Sequence, residues 1–356
     1  MFDKKNVKRI NIGIGIIICI VLMLGATTRL FEDNEIEKIV SQMLDDQNIA
    51  YLNCNRELLK YNYDTDTLYG KWAYEYAEKK MNYLTDWSKK QGIEFTRIKS
   101  EYVFYKIEGS TQIFNVTVKS VDEYSYKYNN EKDSKNTFKI AVYHYMRIEN
   151  KEDIWKITKD WFSDPMCENL CINNNKLKEI TEYLSNCKSK DYKLSDSREK
   201  AVKYADKYCG ATKTSKYNKN YRNYNSVGGD CANFTSQIIY EGGFPKNSIW
   251  NYDDGGSLSW IKSKNLVSYL LYNGRGSKIA VGSYDKIYQY AYKLQPGDLI
   301  AYAEKGEIKH VSVVTGYDSK GYPLVNCHNI DRYRVPWDIG WNREGVTYWL
   351  VSLNYN

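Results

Sequence analysis

GGDCANFTSQIIYEGGF, residues 228–244, decides how the second half of this chain folds. The two leading glycines let the backbone turn sharply and let another chain come close. Asp230 is of the type that caps a helix by accepting from first-turn N–H groups. Phe234, Ile238 and Ile239 share one helical face, and Gly242–Gly243 stop the run. Cys231 therefore falls at the first helical position. There the helix dipole favours a thiolate, and unpaired N–H groups can hold an oxyanion. One residue would supply a nucleophile and part of its stabiliser. The plain alternative is a small buried cysteine after a turn.

The chain holds three histidines, His144, His310 and His328. His310 opens HVSVVTGY, which reads as a strand. His328 lies in PLVNCHN, which reads as the next strand, with DSKGY as the turn between them. A cysteine at a helix start with a histidine on a later strand is the layout of Cys–His hydrolases. A catalytic imidazole needs a partner on its second nitrogen. Alternation places Leu324, Asn326 and His328 on one face. A turn near Ser319–Lys320 sets position 310 opposite about 328–330. Asn326 and His328 are both candidates for that partner. Asn326 is slightly preferred, because its amide oxygen accepts without titrating. A surface place for His310 and a polar core place for His328 are the bland alternatives.

The segments DCANFTSQIIYEGG, PGDLIAY, HVSVVTGYDSKGYPLVNCHNIDR and the preceding REKAVKYADKY resemble the amidase domain family of Gram-positive bacteria. That family is related to the CHAP amidohydrolase/peptidases and other papain-like wall peptidases. The resemblance runs over about residues 196–345. It implies a papain-like α+β fold, a helix bearing Cys231 packed on an antiparallel sheet bearing His310. It also implies hydrolysis of amide or peptide bonds through a thioester, with peptidoglycan or a peptide as substrate. Cys231 would attack and His310 would carry the proton. The choice of orienting residue stays open, since CHAP enzymes use Glu or Asn and other wall peptidases a second His. Asp298 of PGDLIAY fits the pattern, with fixing the turn into a strand as its expected job. Tyr224 and Asn225 are candidates for a second oxyanion donor, and Trp250, Trp260 and Trp337 for a groove lining or core. A non-catalytic binding module on the same fold and a transglutaminase-like thiol acyltransferase are the rival functions.

The first half reads differently. Lys4, Lys5, Lys8 and Arg9 precede an uncharged apolar run from Ile10 to Ala26. Residues 1–30 are thus expected to be a signal peptide or signal anchor. The remainder would be exported, at the outer face of the membrane or in the wall. Residues 1–28 carry +3 of the formal +7, leaving +4, too mild to argue for nucleic acid. Residues 34–92 show helical spacing, and four alternating segments follow, EFTRIKSEYVFYKIEG to KEDIWKITKDWF. Residues 31–165 are therefore expected to be an α+β domain whose element order resembles the cone-shaped cystatin-like modules. Residues 166–195 read as a connector and 196–356 as the second domain, its first helix capped by Asp196 with Glu199 and ended by Gly210. Export permits a disulfide between Cys167 and Cys171. No histidine-rich cluster has metal spacing, so neither metal nor organic cofactor is expected. Thirty-five tyrosines suggest amphipathic surfaces or grooves, although AT-rich coding produces the same bias.

Overall fold

The computed structural model describes residues 33–131, 135–167, 174–189, 192–212 and 216–355. The leader and Cys171 lie outside the described residues. Among the described residues no helix is long and apolar enough to cross a membrane. Three helices come first: α1 over 33–53, α2 (Arg56–Tyr61) and α3 (Leu68–Gln91). Ile36, Val40 and Met43 form the buried stripe of α1. Thr67 caps α3 by accepting from Gly70 N at 3.2 Å, and Gly92, at φ 67°, ends it in the left-handed conformation.

Four strands follow, β1 (Ile93–Ser110), β2 (Ile113–Tyr128), β3 (Asn136–Lys151) and β4 (Ile154–Phe162). Period-two alternation gives β3 two unlike faces. Phe138, Ile140, Val142, Met146 and Ile148 turn inward and join Trp87 and Tyr124 in the core with α1 and α3. Tyr143 and Tyr145 turn outward and stay exposed.

The second half contains α4 (Asn174–Asn186), α5 (Asp196–Tyr208), α6 (Cys231–Glu241), α7 (Leu258–Ile261), α8 (Ser263–Tyr272) and α9 (Tyr284–Ala291). Its strands are β5 (Gly276–Gly282), β6 (Leu299–Glu304), β7 (Glu307–Tyr317), β8 (Pro323–Cys327), β9 (Arg332–Pro336) and β10 (Val346–Leu353). Ser195, not Asp196, is the N-cap of α5, accepting from Arg198 N at 3.4 Å, so the helix starts one residue earlier than its sequence suggests.

The two strand sets are not separate layers. They form one large antiparallel sheet in the order β1-β2-β3-β9-β8-β7-β6-β10-β5. Strand β3 divides one edge between two neighbours. Lys139 and Ile140 pair with Tyr333 and Arg332 of β9, and residues 144–151 pair with β4. Buried polar contacts reinforce the junction. Trp87 Nε1 and Lys90 Nζ donate to Asp338, and Tyr126 and Tyr128 donate to Asp318 at 3.0 and 2.7 Å. The observed architecture is thus mixed α+β, as read from the sequence, with a shared sheet that the sequence did not suggest. Trp250, Trp260 and Trp337 are fully buried and belong to the core.

Candidate active site

Helix α6 packs Phe234 and Ile238 against Val313 of β7, and Cys231 against Leu299, Ala301 and Val311. Gly228 and Gly229, at φ 110° and 111°, turn the chain into the helix. A Cβ on Gly229 would stand 2.1 Å from Asn329 Nδ2, so the residue is required by contact as well as by conformation. Asn329 Oδ1 in turn accepts from Asp230 N.

Cys231 does begin the helix, yet its chemistry differs from expectation. The side chain is only 4% exposed. Sγ lies 3.3 Å from Ser263 Oγ at the start of α8. Burial pushes the thiol up; the Ser263 hydroxyl and the backbone N–H groups of Val311 and Ala232 act in the opposite direction and are outweighed. The position at a helix start does not lower the thiol here.

Asp230 occupies the N-cap position without capping. Its carboxylate is committed elsewhere: Oδ1 accepts from Tyr224 N at 3.0 Å and Asn233 Nδ2 at 2.8 Å, and Oδ2 faces His328 Nδ1 at 2.6 Å. His328 Nε2 lies 2.8 Å from the carbonyl oxygen of Tyr208. A carbonyl only accepts, so Nε2 must donate; a proton also lies between Nδ1 and Asp230. The imidazole is sandwiched between Tyr217 (3.6 Å, 3°) and Phe234 (3.7 Å, 4°). The unit clamps the start of α6 to the end of β8 and the end of α5.

His310 faces another way. Side chains alternate along β7, and Val311 turns to Cys231. The His310 ring instead stacks on Trp341 at 5.2 Å and meets Tyr302 at 5.6 Å. Tyr302 belongs to the core cluster of α9 and β10. The sheet therefore stands between imidazole and thiol. His310 is 6% exposed, and Nε2 has no hydrogen-bond partner among the described residues. Burial, with the charge of Arg332 behind it, pushes the imidazole down to about 3.

The β7–β8 hairpin turns at Asp318–Gly321, close to the expected place, and pairs Val313 with Asn326. Asn326 is fully occupied without His310. Its Oδ1 accepts from Thr315 Oγ1 at 2.9 Å and Arg334 N at 2.7 Å, and Nδ2 donates to Asp206 at 2.9 Å. The four residues singled out from the sequence thus do not converge as one constellation. Cys231 adjoins the Asp230–His328 clamp through the chain, Asn326 joins Asp206 and Arg334, and His310 lies across the sheet. Asp206, Tyr208 and Tyr217 were missed, because no short-range spacing signals a partner over a hundred residues away.

Among the supporting residues, Asp298 fixes the turn into β6: it accepts from Gln295 N, Arg198 Nη1 and Leu353 N at 2.8–2.9 Å. Tyr224 donates its hydroxyl to Gly255 O and Asn225 its amide to Tyr217. Among the described residues no group of three or more His, Cys, Asp or Glu is placed to hold a metal ion.

The segment that carries this site was also compared with known protein families and structures. Residues 195–351 match the family model described as "Putative amidase domain". No curated protein matches the chain. A solved structure described as a "putative ca/calmodulin-dependent kinase ii association domain" from Exiguobacterium sibiricum is similar at 11% identity, over 35% of this chain and 88% of that one, with a TM-score of 0.22.

Proposed function

We propose that residues 195–351 form a cysteine amidohydrolase that cleaves amide or peptide bonds, with cell-wall peptidoglycan as the substrate class. Support comes first from the family of the domain, which suggests an amide hydrolase. The observation that carries the cysteine type is the sulfur of Cys231 at the first residue of α6, with the N–H groups of Ala232 and Val311 turned toward it. Sγ would attack the carbonyl carbon, and the Ala232 N–H would donate to the oxyanion. Collapse would expel the amine, with its proton supplied by a general acid, and leave a thioester for water to hydrolyse. His310 is the proposed proton carrier. To serve, it must leave the Trp341 stack, through a shift at the start of β7 beside the β-bulge facing Tyr302–Ala303. The papain-like layout, the leader and action outside the cell belong to the same proposal.

A second reading has its own support. A buried thiol that is pushed up and an imidazole across the sheet are what a non-catalytic binding module on this fold would show. Incubation of the protein with purified peptidoglycan and short wall peptides, with products identified by mass spectrometry, separates the two. Amide cleavage lost in Cys231→Ala and His310→Ala supports the hydrolase. Intact substrate with retained binding supports the module, and amine incorporation would indicate an acyltransferase.

A further inference from the structure

A cleft of about 950 Å³ opens between the outer face of β1–β4 and the Gly228–Gly229 turn. One wall is aromatic. Tyr145 of β3 and Trp161 of β4 are directly paired, and are 58% and 61% exposed. Beside them Tyr105 and Tyr143 stack at 6.1 Å and 20°. Farther along the same face, Val121 and Ala141 are buried under Ala205 of α5 and Phe234 of α6. Cover therefore stops at Ala141, the residue before Tyr143 on this face, and bare rings begin where the cleft begins. A contiguous aromatic patch of this kind marks a binding surface more often than a solvated one.

The other wall and the floor define what fits. The Gly228–Gly229 backbone and Asn329 lie two or three residues, or one hydrogen bond, from the start of α6. At the floor Lys119 Nζ donates to Gly210 O at 2.7 Å and stands 4.0 Å from Asp331, which also accepts from Tyr217. These charges offset one another, and Lys216 is the remaining cation of the lining. Flat amphipathic rings with amide and hydroxyl groups, and little net charge, suit a ligand with apolar C–H faces and many hydroxyls.

We propose that this cleft is a saccharide-binding site. Tyr143, Tyr145 and Trp161 stack on the ring faces of a neutral oligosaccharide and lead it past the Gly228–Gly229 turn. The N-terminal half then contributes a wall of the substrate site. Identifying the sugar as the glycan strand of the wall rests on the peptidoglycan reading above, but binding itself needs no turnover.

The test is titration calorimetry of the full chain with tetra-N-acetylchitotetraose and, separately, with a wall stem peptide. Saturable sugar binding is expected, weakened about tenfold or more in Tyr145→Ala/Trp161→Ala. Tyr272→Ala, an exposed tyrosine of α8 outside the cleft, should bind as the unaltered protein does. Absence of saturable sugar binding, or binding unaffected by the double substitution, overturns the site. Peptide binding that replaces sugar binding and depends on the same rings overturns the saccharide assignment. Peptidoglycan hydrolysis measured in parallel keeps the outcomes apart: loss of the sugar site with hydrolysis intact leaves the enzyme reading standing, and the reverse leaves the site standing.

Discussion

Asp338→Asn should cost this protein about 3–5 kcal/mol, and the structure says why. Asp338 and Lys90 are both fully buried, and their ion pair joins the end of α3 to the segment between β9 and β10. Asp338 also accepts from Trp87 Nε1 at 3.1 Å, Tyr322 OH at 2.7 Å and Asn342 Nδ2 at 3.4 Å, so one carboxylate ties the end of α3 to two other parts of the chain. Asparagine keeps the shape and removes the charge. Lys90 is then stranded 4.1 Å from the centre of the Tyr284 ring, with no anion in contact. It can escape by losing its proton. Starting from the ordinary 10.5, that costs about 5 kcal/mol at pH 7, which caps the charge penalty. Lys90→Met removes the stranded charge, so the double variant should recover a large part of the loss. The assay is urea denaturation followed by tryptophan fluorescence, for both single variants and the double. A loss below about 1 kcal/mol in Asp338→Asn, or a double variant as damaged as the sum of the singles, would refute the reasoning.

The same pair predicts a pH dependence. Burial lowers Lys90 to about 8 against the favourable pull of Asp338. Above that value the folded protein holds fewer protons at this site than the unfolded chain, so this contribution to stability rises from about pH 8 toward 10.5. Other groups titrate in that range, so the effect is read as the difference between the unaltered protein and Lys90→Met, which should lack the rise. Iodoacetamide at neutral pH should alkylate exposed Cys54 before Cys231 or Cys327, since burial pushes both of those thiols up; peptide mapping after brief labelling gives the order, and Cys231 labelled first would contradict the buried geometry. Asn326→Ala and His328→Ala should each lower the melting temperature, by removing three and two buried or partly buried hydrogen bonds at roughly 1 kcal/mol apiece, so lost turnover in either must be judged against folding. Gly229→Ala should cost about 1 kcal/mol or more, because its φ of 111° strains any Cβ and Asn329 leaves it no room; an unchanged denaturation midpoint would count against the turn geometry.

Local signals in the sequence carried far. The helix at Cys231, its stop at Gly242–Gly243, the four strands of the first half and the β7–β8 hairpin all follow from periodicity and turn chemistry that act within a few residues. The resemblance of residues 195–351 to an amidase domain family was legible for the same reason, since its motifs are short and contiguous. What the sequence could not settle was which way each side chain met its neighbours. Asp230 has the residue type of an N-cap, yet His328, 98 positions away, claims its carboxylate. The helix start should favour a thiolate, yet packing on Val311, Leu299 and Ala301 dries the sulfur, and desolvation exceeds the pull of the nearby N–H groups. Adjacent strand residues point to opposite faces, so a position known to a single residue decides whether His310 meets Cys231 or Trp341; sequence placed His310 on a strand, but only the packed sheet chose the face. The junction of β3 with β9 rests on two residue pairs nearly two hundred positions apart, and such pairing is set by the three-dimensional fit of whole surfaces, which no local spacing records.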